Sequence, residues 1–97
     1  MYYLNVILTV KDPADVPEIR RLLAEQQRLS REEPGCVRFE VYHSESEPRK
    51  FVLNEHWEAK RDWEVHRTAK AVTEIYLPLV IPRVDREAHV CQLLPGA

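Results

Sequence analysis

The chain has 97 residues, with 14 Lys and Arg against 16 Asp and Glu for a net charge of −2. That length supports one domain over residues 1–97. The interspersed charges form no basic stripe for nucleic acid, and two glycines leave no GxGxxG or GxxxxGK loop to cradle phosphates. No apolar run approaches a membrane span, and MYYLNVILTVKD lacks the basic start of a signal peptide, so the expected compartment is the cytoplasm.

Tyr2 to Val10 (YYLNVILTV) is rich in β-branched and aromatic residues and reads as a strand. Leu4, Val6, Leu8 and Val10 share one face; Tyr3, Asn5, Ile7 and Thr9 share the other. In KDPADVPEIRRLLAEQQRLSREEPG, Asp12 or Asp15 caps a helix whose apolar stripe runs through Val16, Ile19, Leu22, Leu23 and Leu29, with Gln26 continuing it. Pro34 and Gly35 end that helix. CVRFEVYHS alternates as a second strand, SESEPRK forms a hairpin loop, and FVLNEHWE is a third strand with Phe51, Leu53, Glu55 and Trp57 on one face. A second helix covers AKRDWEVHRTAKAVTEIYLPLV, broken around Pro78. EAHVCQLL, from Glu87 to Leu94, reads as the fourth strand.

Strand, helix, strand, strand, helix, strand is the split βαβ order of an α+β, ferredoxin-like βαββαβ fold with a four-stranded antiparallel sheet. Leu4, Val6, Leu8 and Val10 cannot all stand in water, so a partner is expected on the sheet, most economically a homodimer packed sheet to sheet. Strands two and four take opposite edges, which keeps Cys36 and Cys91 too far apart for an intrachain disulfide.

The stretch REEPGCVRFEVYHSESEPRKFVLNEHWEAKRDWEVH resembles the signature of the antibiotic biosynthesis monooxygenase (ABM) domain and its quinol monooxygenase-like members, within the dimeric α/β-barrel superfamily. The matching residues are Glu33, Pro34, Gly35 and Cys36, then Phe39 and Val41, then Pro48, Phe51, Glu55 and Trp57, and His66. The resemblance implies a homodimer whose sheets face each other, with a pocket in each protomer between sheet and helices. It also implies one of several chemistries: oxygenation of phenolic polycycles or quinols without metal or flavin, haem degradation, or isomerisation of small phosphorylated metabolites. The haem-degrading branch is similar at Asn5. It departs at His66, where it has a tryptophan, and at Tyr76, where it has the iron-ligating histidine, and these departures weigh against haem.

Trp63 and His66 lie three apart on one helical face, with Asp62 placed to hold a ring nitrogen of His66. His66 is then either a general base or a packing histidine. Trp57 is an aromatic wall for substrate or a core anchor. Glu55 is a polar contact, a base raised by burial, or the partner of an arginine such as Arg38. Asn5 contacts an oxyanion or dioxygen, or satisfies the backbone; Tyr76 lines the pocket mouth or packs in the core. His43, His56 and His89 have no metal-ligand spacing, so no metal is expected. The resulting expectation is a cofactor-independent monooxygenase of a phenolic, anthrone-like or quinol substrate, with His66 and Asn5 catalytic and Glu55, Trp57, Trp63 and Tyr76 binding substrate. A non-catalytic dimer that binds a small molecule, or a small-metabolite isomerase, is the alternative.

Overall fold

The computed structural model describes residues 1–96. Strand β1 spans Tyr2–Val10; a 3₁₀ turn, Pro13–Asp15, leads into helix α1, Val16–Arg31. Asp12 accepts a hydrogen bond from the Ala14 N–H at 2.9 Å, satisfying a donor that the turn cannot. Strands β2 (Cys36–His43) and β3 (Lys50–Trp57) follow, then helix α2 (Lys60–His66), a π helix (Ala71–Val80) and strand β4 (Val84–Cys91). All neighbours in the sheet are antiparallel, in the order β2-β3-β1-β4. This is the ferredoxin-like α+β arrangement that the sequence predicts, with Cys36 and Cys91 as free thiols on the two edge strands.

The core lies between the sheet and the helices. Leu4, Val6, Leu8 and Val10 of β1 are buried with Phe39, Phe51, Leu53 and Trp57, against Ile19, Leu22 and Leu23 of α1 and Tyr76 and Val80 of the π helix. Here one expectation is corrected. The aliphatic face of β1 is covered by the chain's own helices, so it does not by itself demand a partner. The face left open carries Tyr3, Asn5, Ile7 and Thr9, all half-buried, beside Val52, Asn54 and His56 of β3.

The second helical segment also differs from expectation. It breaks at residues 67–69, not at Pro78, and resumes as a wide coil in which the Ile81 N–H donates to the Tyr76 carbonyl five residues back. Pro78 lies inside that coil; the wider turn relieves the clash between a proline ring and the carbonyl of residue i−4. Strand β4 begins three residues earlier than the sequence suggests and ends at Cys91, because its pairing with β1 runs from Val10↔Val84 to Tyr3↔Cys91.

Candidate active site

Helix α2 is short, and its entry is fixed by side chains. Asp62 at its third position accepts from the Ala59 N–H at 3.1 Å, satisfying a donor at the helix start. Asp62 is therefore a cap and not the partner of His66. Gly35, with φ +80°, lies close under it; a Cβ built there would fall 2.3 Å from Asp62 Cγ. Trp63 and His66 then share the inner face of α2. The Trp63 ring packs on Tyr2 with centroids 5.1 Å apart, and the Arg67 guanidinium sits 5.1 Å above it.

His66 is only 4% exposed. Its ring lies 4.6 Å from that of Trp57 and 5.7 Å from that of Phe39, and its Nδ1 meets Glu33 Oε1 at 2.6 Å. Burial drives His66 down to about 4. Burial, helped by the charge of Glu55, drives Glu33 up to about 7. Both shifts favour uncharged partners, and the contact is short enough to hold one proton between them.

Glu55 faces the same side of the sheet, opposite Leu4 in the register. It is also 4% exposed, and among the described residues it accepts one hydrogen bond, from Trp57 Nε1 at 3.1 Å. Burial raises its carboxyl to about 7, against the opposing effects of the Trp57 hydrogen bond and the Arg86 charge. Arg86 reaches in from β4 and donates from Nε to the Tyr76 hydroxyl at 2.8 Å. Burial pushes the Tyr76 phenol above its ordinary value, against the pull of Arg86.

These groups open on one cavity of about 720 Å³, walled by Leu4, Trp63, Val72 and Ile81 among apolar residues and by Gln26, Glu55, His66, Tyr76 and Arg86 among polar ones. That volume suits a small-molecule ligand. A second cavity of about 660 Å³ lies between α1 and the β2–β3 hairpin. Several of its polar groups are already engaged: His43 is held by Arg20 and the Pro48 carbonyl, and Gln27 Oε1 accepts from the Val41 N–H. The first cavity, unlike the second, has a strongly raised carboxyl, Glu55, in its wall.

Of the six predicted site residues, the structure brings Glu55, Trp63, His66 and Tyr76 together around this cavity. Trp57 is fully buried behind it, where it holds Glu55 and supports His66. Asn5 is on the opposite face of the sheet, bonded to Asn54 at 2.6 Å and to Cys91 Sγ at 3.3 Å, and cannot reach a ligand beside Glu55. The predicted ion-pair alternative for Glu55 also changes, since Arg38 is paired with His56 in the register and lies on the open face. Sequence reasoning missed Glu33, Gln26 and Arg86. Gln26 left a signal as an amide in an apolar stripe and Glu33 one as a residue of the family signature, though neither was given a role; Arg86 left none beyond charge. Among the described residues no cluster of three or more His, Cys, Asp or Glu is placed to hold a metal, and no helix is long and apolar enough to cross a membrane.

The antibiotic biosynthesis monooxygenase family model matches residues 1–76, which include β1, the Glu33 turn, Glu55, His66 and Tyr76. The chain belongs to the ABM family. Uncharacterized protein YjcS of Bacillus subtilis (strain 168) is 28% identical over 75 residues, spanning 77% of this ABM chain and 71% of YjcS. A Deinococcus radiodurans structure, described as a candidate antibiotic biosynthesis monooxygenase, superposes with a TM-score of 0.85 at 22% identity, covering 100% of this chain and 96% of that one. Rv0793 from Mycobacterium tuberculosis gives a TM-score of 0.85 at 20% identity, covering 100% and 99%. At these identities the structural likeness is one of fold.

Proposed function

We propose that this ABM protein is a monooxygenase needing neither metal nor flavin, acting on an electron-rich phenol, an anthrone-like ring or a hydroquinone in the Glu55 cavity. The observation that carries this reading is Glu55 itself: a carboxyl 4% exposed, raised to about 7, opening on a mixed polar and apolar cavity with Trp63 in its wall. A base poised near the working pH is the kind that proton abstraction from a phenol needs. Base catalysis is thereby assigned to Glu55 in preference to His66, whose value near 4 makes it a weaker acceptor.

Glu55 takes the phenolic proton, and the developing oxyanion is stabilised by the Arg86–Tyr76 pair. The electron-rich anion is then the reductant for dioxygen. At a ring methylene opposite the phenol, one oxygen atom becomes a carbonyl, and the other leaves as water with the two methylene hydrogens. No outside electron donor enters that balance. His66, kept neutral by burial and held in place by Glu33, contributes a second hydrogen-bonding group beside the substrate. The proposed assembly is a homodimer that covers the open face of the sheet.

A second reading rests on a different observation. Arg67 and Arg86 both line the cavity, which suits a small anionic metabolite that is bound or isomerised there. Oxygen uptake separates the two. Metal-stripped protein should consume oxygen above the spontaneous background with a panel of anthrones and hydroquinones, and Glu55→Gln should lose roughly 10²–10⁴ of that rate. No uptake across the panel would transfer the assignment to the anionic-ligand reading.

A further inference from the structure

Gln26 is a buried polar residue of the cavity wall with no part in the oxygenation described above. It sits midway along the core-facing stripe of α1, between Leu23 and Ser30, and is 1% exposed. Its neighbour Gln27 has a structural task, since Gln27 Oε1 accepts from the Val41 N–H at 2.8 Å and caps the free edge of β2. Gln26 has none of this kind. Its Oε1 is buried and accepts no hydrogen bond from any described residue, although the side chain of Gln26 contributes to the cavity wall with Glu55 and Tyr76. Ser30 Oγ, one turn further on, is equally unpartnered, so the two do not satisfy each other. A buried acceptor without a donor is costly, and native interiors seldom keep one without a reason. A leucine or methionine would complete the stripe of Ile19, Leu22 and Leu23 with no such cost.

We propose that Gln26 is a specificity-determining residue that accepts a hydrogen bond from a second hydroxyl of the ligand, while Glu55 engages the first. This rests on the reading of the cavity as an aromatic-substrate site and narrows it. The preferred ligand carries two hydroxyl groups on opposite sides of its ring system, in preference to a single phenol. Glu55 comes from the sheet and Gln26 from the helix above it, so these two polar anchors hold a flat ligand from two sides of the cavity. A ligand lacking the second hydroxyl leaves Oε1 buried and unpaired, which is how a hydrogen-bonding site discriminates.

The test is equilibrium binding under anaerobic conditions, read by tryptophan fluorescence, with 1,4-dihydroxynaphthalene and 1-naphthol as the two probes. Wild-type protein is expected to bind the diol roughly 3–10-fold more tightly, the range of one net hydrogen bond. Gln26→Met and Gln26→Leu should bring that ratio to about one, leave 1-naphthol affinity nearly unchanged, and melt no lower than wild type. A ratio unchanged in both variants, or a wild type that binds the diol no better, overturns the assignment. Because the readout is binding, absence of oxygen uptake would count against the oxygenase reading while leaving the role of Gln26 standing.

Discussion

His66 Nδ1 and Glu33 Oε1 meet at 2.6 Å across 33 residues of sequence, joining the end of α2 to the turn that follows α1. The contact fixes the ring from one side while Trp57 and Phe39 fix it from the others. It also commits Nδ1, so Nε2 is the nitrogen left for a ligand. The same burial gives the two partners opposite pH consequences. His66, lowered to about 4, favours folding above its ordinary value of 6.5 and loses that advantage as the pH falls toward 4.

Glu55 behaves in the other sense. Its value is raised from 4.5 to about 7, so its contribution to stability is intact below about pH 4.5 and is lost as the pH rises through 7. Glu55→Gln removes that loss. Relative to wild type, the variant should gain about 3 kcal/mol between pH 4.5 and pH 8.5, from a shift of roughly 2.5 units at 1.36 kcal/mol each. Urea denaturation of both proteins at the two pH values measures it. A parallel decline in the variant would mean that Glu55 ionises freely in the folded state.

Arg86→Met keeps much of the side-chain bulk but removes the donor to Tyr76 and the charge that holds Glu55 down. Turnover should fall roughly 10²-fold, as for loss of one oxyanion donor. The ascending limb of the pH–rate profile should move to higher pH, because Glu55 loses its nearby cation. A lower rate with an unmoved profile would leave Arg86 with a packing role only.

Gly35→Ala tests whether the α2 cap positions the site. The positive φ of Gly35 disfavours any side chain, and the added methyl meets Asp62. Destabilisation of about 1–3 kcal/mol is expected, with weaker ligand binding because α2 carries both Trp63 and His66. Thermal melting and a binding titration check both parts; a stable variant with normal affinity would show that the cap is free to move.

Cys36 should be a slow nucleophile. Burial, then the charges of Glu33 and Glu55, push its thiol up to about 11. At pH 8 the thiolate fraction is about one in a thousand. Labelling of the native protein should spare Cys36 until it unfolds, and non-reducing electrophoresis should show no intrachain bridge. Rapid modification of Cys36 would mean that the β2 edge opens.

Much of this architecture was legible because the apolar period changes cleanly from two in YYLNVILTV to three and four in α1. Glu55 and Trp57 were placed correctly on one face for the same reason. Asn5 was misplaced because period alone does not say which face of β1 the helices cover. Only the register, with Leu4 opposite Glu55, shows that Asn5 points away from it. The Glu33–His66 contact depends on how α2 docks after the β3 strand, and no local pattern encodes that. Arg86 was assigned to no strand because the exposed residues of β4 obscure its start. The break at residues 67–69 carries neither glycine nor proline, whereas Pro78, the obvious breaker, is absorbed by the π coil.

The most direct test of the central claim is the pH dependence of oxygen uptake by metal-stripped protein, with one hydroquinone or anthrone and with wild type and Glu55→Gln side by side. The account predicts a wild-type rate that rises through a midpoint near 7 and a variant rate that is low and lacks that rise. Uptake no faster than the spontaneous reaction, or an identical profile in the variant, would contradict Glu55 as the base of an oxygenase.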